Sequence, residues 1–355
     1  MVFFIRISIV ALVLFGAGLA MWLQRGKLPS NIAPPERLAC QAPAMQTQAG
    51  HAGMAWVPGG EFEFGDKVYP EEQPVRKTSV KGFWMDPTEV TNDQFSAFVK
   101  ATNYVTSAER VVDAKSHPEL PPDMLKPGAV VFVGATDGKT MLSPADWWRY
   151  VPGANWRHPG GPKTDIEGKG AFPVVAVTYE DAVAFANWRG NTLPTEAQWE
   201  WAARAGQNAD PTDPTGASQP KQANTWQGLF PLTNSGEDGF VGLAPVGCYF
   251  PNAFGLFDMI GNVWELTSDV YAPNHFDLKP APPDQLQRDF RKVPPGKGLT
   301  ADVTQNVPQH VIKGGSYLCA PNYCVRYRPG SRQPQDDDLG ASHLGFRTVL
   351  TAPGP

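Results

Sequence analysis

One residue in five of this chain is glycine or proline, 35 and 36 of them among 355 residues. Average usage is roughly 12% for the two together. Proline removes the N–H that helix interiors and central strands need, and glycine loses more backbone freedom on ordering than any other residue. A chain interrupted so often has little room for long helices, so short strands and short helices joined by much irregular loop are expected. The 42% hydrophobic and 11% aromatic content excludes a disordered chain. Its length suffices for one large or two ordinary domains. No evident linker follows residue 50, so one compact mixed domain over 51–355 is the simplest partition.

Thirty basic and 35 acidic side chains leave a net charge of -5, and no dense basic run is present. A nucleic-acid partner is therefore not expected. The N-terminus departs from the globular pattern: Arg6 precedes an apolar run from Ile7 to Leu23, followed by Gln-Arg-Gly-Lys. That run exceeds the usual signal-peptide core and sits at the short end for a spanning helix. Residues 1–24 are read as an uncleaved signal anchor or a cleaved signal peptide, for which Gly18 and Ala20 offer a small-residue site. Either reading exports the remainder, to the periplasm or to the outer side of the inner membrane with the anchor as membrane contact. A lipid-bearing Cys40 is disfavoured by its distance from the run, and a buried core helix by the run's terminal, all-round apolar character. Residues 25–50, rich in Pro, Ala and Gln, read as a flexible tether. Four cysteines in an exported protein are ordinarily two disulfides. Cys40 in the tether and Cys248 in a loop can pair, but no spacing argument supports it.

Alternation and a Gly-Gly step read Ala55 to Gly65 as a short hairpin. Further strands are expected at Thr78–Met85, Ala129–Val133, Phe172–Val177, Val311–Tyr317 and Leu344–Leu350. Three short helices announce themselves by their starts. Thr91-Asn-Asp-Gln94 and Thr195-Glu-Ala-Gln198 are capping boxes, and Thr178 with Asp181 caps another helix, Ala182–Trp188, that Gly190 ends. Two stretches, Gln207–Gln222 and Ala272–Gln309, read as loop excursions.

The six histidines, His51, His117, His158, His275, His310 and His343, show no i, i+2 or i, i+4 pairing, which disfavours zinc and non-haem iron. No Gly-rich phosphate loop or Gly-x-Ser-x-Gly elbow is present. The chemistry therefore concentrates in Cys319 and Cys324, two soft ligands within Val311–Arg328. Such a pair can close a disulfide, hold a thiophilic metal or exchange thiols. Spacing and export alone favour the disulfide. Two thiolates cannot complete a tetrahedral zinc site, but they suit Cu(I), which accepts few ligands and prefers sulfur. Ala223–Gly228 with Ser235–Gly242, and Phe257–Glu265, offer carboxylates, an amide and turn carbonyls of the kind a hard cation such as calcium takes. The same residues are also ordinary turn formers.

Several runs together resemble the formylglycine-generating enzymes, the sulfatase-modifying oxidases. They are Gly82-Phe-Trp-Met-Asp-Pro-Thr-Glu-Val-Thr-Asn-Asp-Gln-Phe95, Gly153-Ala-Asn-Trp-Arg-His-Pro159, Leu193-Pro-Thr-Glu-Ala-Gln-Trp-Glu200, Gly255–Glu265, Lys313–Arg328 and Leu344-Gly-Phe-Arg347. Leu-Pro-Thr-Glu-Ala and Gly-Asn-Val-Trp-Glu mark the wider superfamily. Gly-Gly-Ser-Tyr-Leu-Cys with a second cysteine five residues on is more specific to members that oxidise cysteine. The resemblance implies an α+β fold, a single compact domain of the formylglycine-generating-enzyme or C-type-lectin-like kind. It implies an oxidase with Cys319 and Cys324 as Cu(I) ligands and Ser316 and Tyr323 beside them. Its partners would be O2, a thiol reductant and an unfolded sulfatase polypeptide carrying Cys-x-Pro-x-Arg, with Asn155, Trp156 and Arg157 as candidates for the substrate groove. It also implies two structural Ca2+ sites, one from Asn224, Thr225, Asp238 and Phe240, the other from Asp258, Gly261, Val263 and Glu265. Ala320 stands where some members carry histidine, so that histidine has no part in this chain's chemistry. The disulfide cysteines of animal members have no evident counterparts, which favours a bacterial-type protein. The alternatives are a superfamily oxidase acting on another thiol or a siderophore-type chromophore, and a non-catalytic binding module with the cysteines locked as a disulfide.

Overall fold

A computed structural model of the chain describes residues 40, 51–112, 114, 120–135, 147–206, 222–273, 308–351 and 354. The apolar N-terminal run, the tether apart from Cys40, and most of both excursions lie outside the described residues.

The three capped helices form where their starts place them. Helix α1 (Asn92–Thr102) opens with Thr91 accepting from the Gln94 N–H while the Gln94 side chain accepts from the Thr91 N–H. Helix α2 (Tyr179–Arg189) repeats the device with Thr178 and Asp181 and ends at Gly190, φ 75°. Helix α3 (Glu196–Ala203) is capped by Thr195 and Gln198. Each reciprocal pair satisfies two donors that a first turn leaves open. Phe95 and Phe98 of α1 and Phe185 of α2 then pack with Trp156 and Phe346 as one aromatic core.

The strands depart from expectation in an instructive way. The hairpin read into Ala55–Gly65 does not form: β1 (Ala55–Val57) and β2 (Gly60–Phe64) join different sheets, β2 pairing with β3 (Arg76–Val80) and β1 with β4 (Phe83–Met85). Gly59 explains the split, because a Cβ there would sit 2.7 Å from the Val80 carbonyl oxygen. The single strand expected over Thr78–Met85 is for the same reason two strands, parted at Lys81–Gly82. The ribbon β5–β6 (Gly128–Phe132, Trp148–Pro152) bonds along residues 340–342. Four strands build the sheet beneath the cysteines: β7 (Trp264–Val270), β8 (Gln309–Lys313), β9 (Gln333–Asp336) and β10 (Leu344–Gly345), in the order β10-β7-β8-β9. Only β10 and β7 run parallel. A last strand, β11 (Val349–Leu350), completes β1-β4-β11.

Phe172–Val177 makes no strand. Val174 N bonds the Val90 carbonyl, Ala176 N bonds that of Ala341, and Ala176 turns the backbone at φ 57°. Its apolar side chains are core filling between segments rather than a ladder. Cys40–Pro355 form one compact unit, with Cys40 joined to Cys248 by a disulfide. Among the described residues no helix is long and apolar enough to cross a membrane.

Buried ion pairs hold the loop-rich body together. Arg332 grips both Glu196 oxygens, Lys313 reaches Glu200 at 3.0 Å, and Arg347 grips both oxygens of Glu265. Pairs this deep rarely exceed a hydrophobic isostere in net stability, but removing one partner strands a buried charge. They fix where loops lie.

Candidate active site

Strand β8 does not continue to Tyr317 as its composition suggests. Gly314 and Gly315, at φ 93° and 73°, reverse the chain after Lys313. A Cβ on Gly314 would meet the Trp199 ring at 2.9 Å and one on Gly315 the Tyr327 Cα at 3.0 Å. Only glycine meets both demands, positive φ and close approach. The chain then enters tight turns: Cys319 N donates to the Ser316 carbonyl, and Tyr323 N and Cys324 N both donate to that of Ala320. These turns bring the Cys319 and Cys324 sulfurs to 2.9 Å without a disulfide between them.

The two thiols are not equivalent. Burial, reinforced by its partner, pushes Cys319 far above the ordinary thiol range. The hydrogen bond from Cys319 lowers Cys324, and the Arg326 N–H with the Arg326 and Arg328 guanidiniums adds to the effect. The shifts run in opposite directions, so Cys324 is the more readily deprotonated of the two. Both arginines are positioned from the segment Asp66–Glu72. Arg326 pairs with Glu71 and lies over the Tyr69 ring at 3.9 Å, and buried Arg328 pairs with Asp66 and Glu72.

The sulfurs face a cavity of about 520 Å³. Ser316 and Tyr323 are among its lining, with the aromatic rings of Trp148, Phe230 and Trp264 and the polar side chains of Gln309, Gln333, Gln335 and Asp336. Tyr323 stacks on Phe230 at 4.3 Å, and Trp147 meets both rings edge-on. His343 also lines the cavity, against Trp148. Burial lowers its pKa to about 3, and its Nδ1 has no partner among the described residues. It is a neutral imidazole. Sequence reasoning missed His343 and the glutamines, because it screened histidines only for ligand spacing and the glutamines arrive from separate strands.

The structure places the substrate-groove candidates away from the cysteine cavity. None of Asn155, Trp156 and Arg157 lines the cysteine cavity. Trp156 is buried in the aromatic core, the Asn155 amide folds back on its own loop to the N–H groups of Arg157 and His158, and Arg157 stacks on Trp156 and pairs with Glu109. The run is a structural loop.

The first calcium set is drawn together. Asp238 accepts from the N–H groups of Thr225 and Phe240, and the Asn224 side chain ties the same loops through the Gly242 carbonyl. Its mixture of carboxylate, amide and carbonyls suits a hard cation. The second set is less accommodating. Both Glu265 oxygens are engaged by Arg347, and one also accepts from the Trp199 indole. Asp258 takes the Gly247 N–H and lies beside the buried Glu89 carboxyl. Burial raises both of these carboxyls, Asp258 to about 6. As placed, Glu265 is a partner of Arg347 rather than an open cation ligand.

For the cysteines, the donors fit a soft monovalent metal: two unbonded sulfurs that face a cavity. Among the described residues no three His, Cys, Asp or Glu side chains converge as a metal cluster.

Comparison with known proteins agrees with this geometry. Residues 40–352 match the family described as sulfatase-modifying factor enzyme 1-like domain. The formylglycine-generating enzyme of Mycobacterium tuberculosis is 45% identical over 82% of this chain and 96% of its own. A mouse relative named inactive C-alpha-formylglycine-generating enzyme 2 is 37% identical over 92% and 95%. The structure of PvdO from Pseudomonas aeruginosa superposes with a TM-score of 0.52 at 21% identity, over 83% of this chain and 93% of that one, which shows a shared fold. The chain belongs to the sulfatase-modifying factor family of formylglycine-generating enzymes.

Proposed function

We propose that this chain is an oxidoreductase that converts a peptidyl cysteine to Cα-formylglycine, and that it does so with Cu(I), O2 and a thiol reductant on the Cys-x-Pro-x-Arg segment of an unfolded sulfatase. Family membership alone does not carry the activity, since a relative named inactive shares it. The carrying observation is the unbonded Cys319–Cys324 pair at 2.9 Å, facing a cavity.

The reaction balances as one cysteine side chain, one O2 and two reductant thiols giving an aldehyde, hydrogen sulfide, water and one disulfide. Bound between the cysteines, Cu(I) would supply a site where O2 is reduced and the substrate thiolate is held. The chain's own residues prepare that site. Cys319 and Cys324 would hold the metal as thiolates, Cys324 being the more readily deprotonated of the two. Arg326 and Arg328, fixed by Glu71, Asp66 and Glu72, balance the negative charge that two or three thiolates accumulate. Trp148, Phe230 and Trp264 limit water at the cysteines, protecting a reactive intermediate from side reactions. Calcium in the Asn224–Phe240 loops is structural. The Cys40–Cys248 disulfide supports export beyond the cytoplasm through the N-terminal run, where such bonds persist.

Incubating the protein with a Cys-x-Pro-x-Arg peptide, O2 and reductant, with and without copper, and weighing the product by mass spectrometry tests the reading. Formylglycine should form only with copper, at one Cu(I) per chain, and both should be lost in Cys319→Ser and Cys324→Ser. Copper retention with intact activity in both variants would sink it.

A further inference from the structure

Flanking Phe230, whose ring lines the cavity, are two exposed leucines that the active-site chemistry does not use. Leu229 and Leu232 are 54% and 38% exposed and sit three apart in one turn, in which the N–H groups of Leu232 and Thr233 both bond the Leu229 carbonyl. Tyr323, 45% exposed, continues the same surface through its stack on Phe230. Solvent-facing leucines on so short a turn cost solubility and contribute little to folding.

This turn is bolted to the cysteine turn. The Asn322 amide accepts from the Phe230 N–H at 3.4 Å and donates to the Phe230 carbonyl at 3.2 Å. Asn322 lies two residues before Cys324, so the leucines hold a fixed position relative to the reacting sulfur. Between them, Phe230 turns inward and lines the cavity. The exposed leucines thus flank a ring of the cavity wall. The surface also carries no charge: Gln227–Ser235 and Ser316–Cys324 contain no Asp, Glu, Lys or Arg. That composition does not suit an anionic membrane, which needs basic side chains.

We propose that Leu229 and Leu232 form a docking surface for apolar side chains flanking the target cysteine of an unfolded polypeptide. The proposal rests on the peptidyl-cysteine reading above and names what that site recognises beyond its cysteine. A polypeptide that delivers its cysteine to Cys324 must cross the surface around the cavity mouth, and an unfolded chain is the partner that presents apolar residues there. Folded substrates keep theirs inside, so the surface selects for unfolded ones.

The test measures binding separately from turnover. Fluorescence anisotropy follows two labelled unstructured peptides whose target cysteine is replaced by serine, one with leucine or valine flanks and one with serine flanks. The variant Leu229→Ser/Leu232→Ser should bind the apolar-flanked peptide about tenfold more weakly than the parent and the serine-flanked peptide equally. Leu229→Met/Leu232→Met should restore the apolar preference. In turnover with the cysteine peptides, KM should rise by a similar factor while kcat and copper stoichiometry hold. Equal affinity of parent and serine variant for the apolar-flanked peptide overturns the proposal. So does a change confined to self-association in sedimentation, which would assign the surface to a second copy. Absence of formylglycine from the parent, with the affinity difference intact, would remove the oxidase reading and leave the docking surface standing.

Discussion

Two sulfurs 2.9 Å apart compete for one proton, and their surroundings decide the outcome. Cys319 is buried and keeps it, whereas Cys324 is half-buried and faces two guanidiniums. Limited alkylation of metal-free protein near neutral pH, read by peptide mass mapping, should therefore label Cys324 well before Cys319, and Cu(I) should protect both. Equal labelling would mean that the asymmetry does not exist in solution. The spacing of the pair was visible in the sequence; its asymmetry was not, because Glu71, Asp66 and Glu72, which hold the arginines, come from some 250 residues away. Trp156, which the family resemblance offered as a groove candidate, is buried against Phe95, because burial of a tryptophan outweighs the polarity of adjacent residues.

Among the elements, those whose signals are local were legible. The three capping boxes each close within four residues, and each helix begins directly after its cap, α2 at Tyr179 rather than at the expected Ala182. Thr178→Ala should cost about 1 kcal/mol in denaturant melts and leave copper binding unchanged. Strand partners were not legible, because pairing depends on what Gly59 and Gly82 approach in space, and a run such as Phe172–Val177 looks the same whether it forms a ladder or fills a gap. The Gly314-Gly315 reversal is where an element directly serves the site. Gly315→Ala must place a Cβ against Tyr327 backbone at positive φ, at an expected cost of about 2–4 kcal/mol. It should also weaken Cu(I) binding, because the turn that sets the sulfurs shifts. Unchanged melting and copper affinity would show that the reversal tolerates a side chain.

Across the whole molecule, a glycine- and proline-rich chain replaces long regular elements with buried charge and one covalent tie. Buried charge gives the stability a pH signature. Asp269 accepts from the Glu196 N–H and lies near His310 and Arg332; burial, then the Glu196 charge, raises its pKa to about 6. The folded state therefore holds a proton that the unfolded chain has released. Its contribution to stability falls as pH rises from about 4 to about 6, by at most about 3 kcal/mol. Thermal melts across that window should flatten in Asp269→Asn; a parallel pH profile would assign the loss to other groups. The Cys40–Cys248 tie spans 208 residues, and its loss should cost about 2–4 kcal/mol. Cys40 is exposed, so a soluble thiol can reach the bond, and any reductant added to sustain turnover meets two sulfur pairs at once. Reductant concentration is then a hidden variable in every rate measurement: strong dithiols will drive catalysis and loosen the catalyst together. A Cys40→Ser/Cys248→Ser protein, uniformly without the bond, separates the two effects.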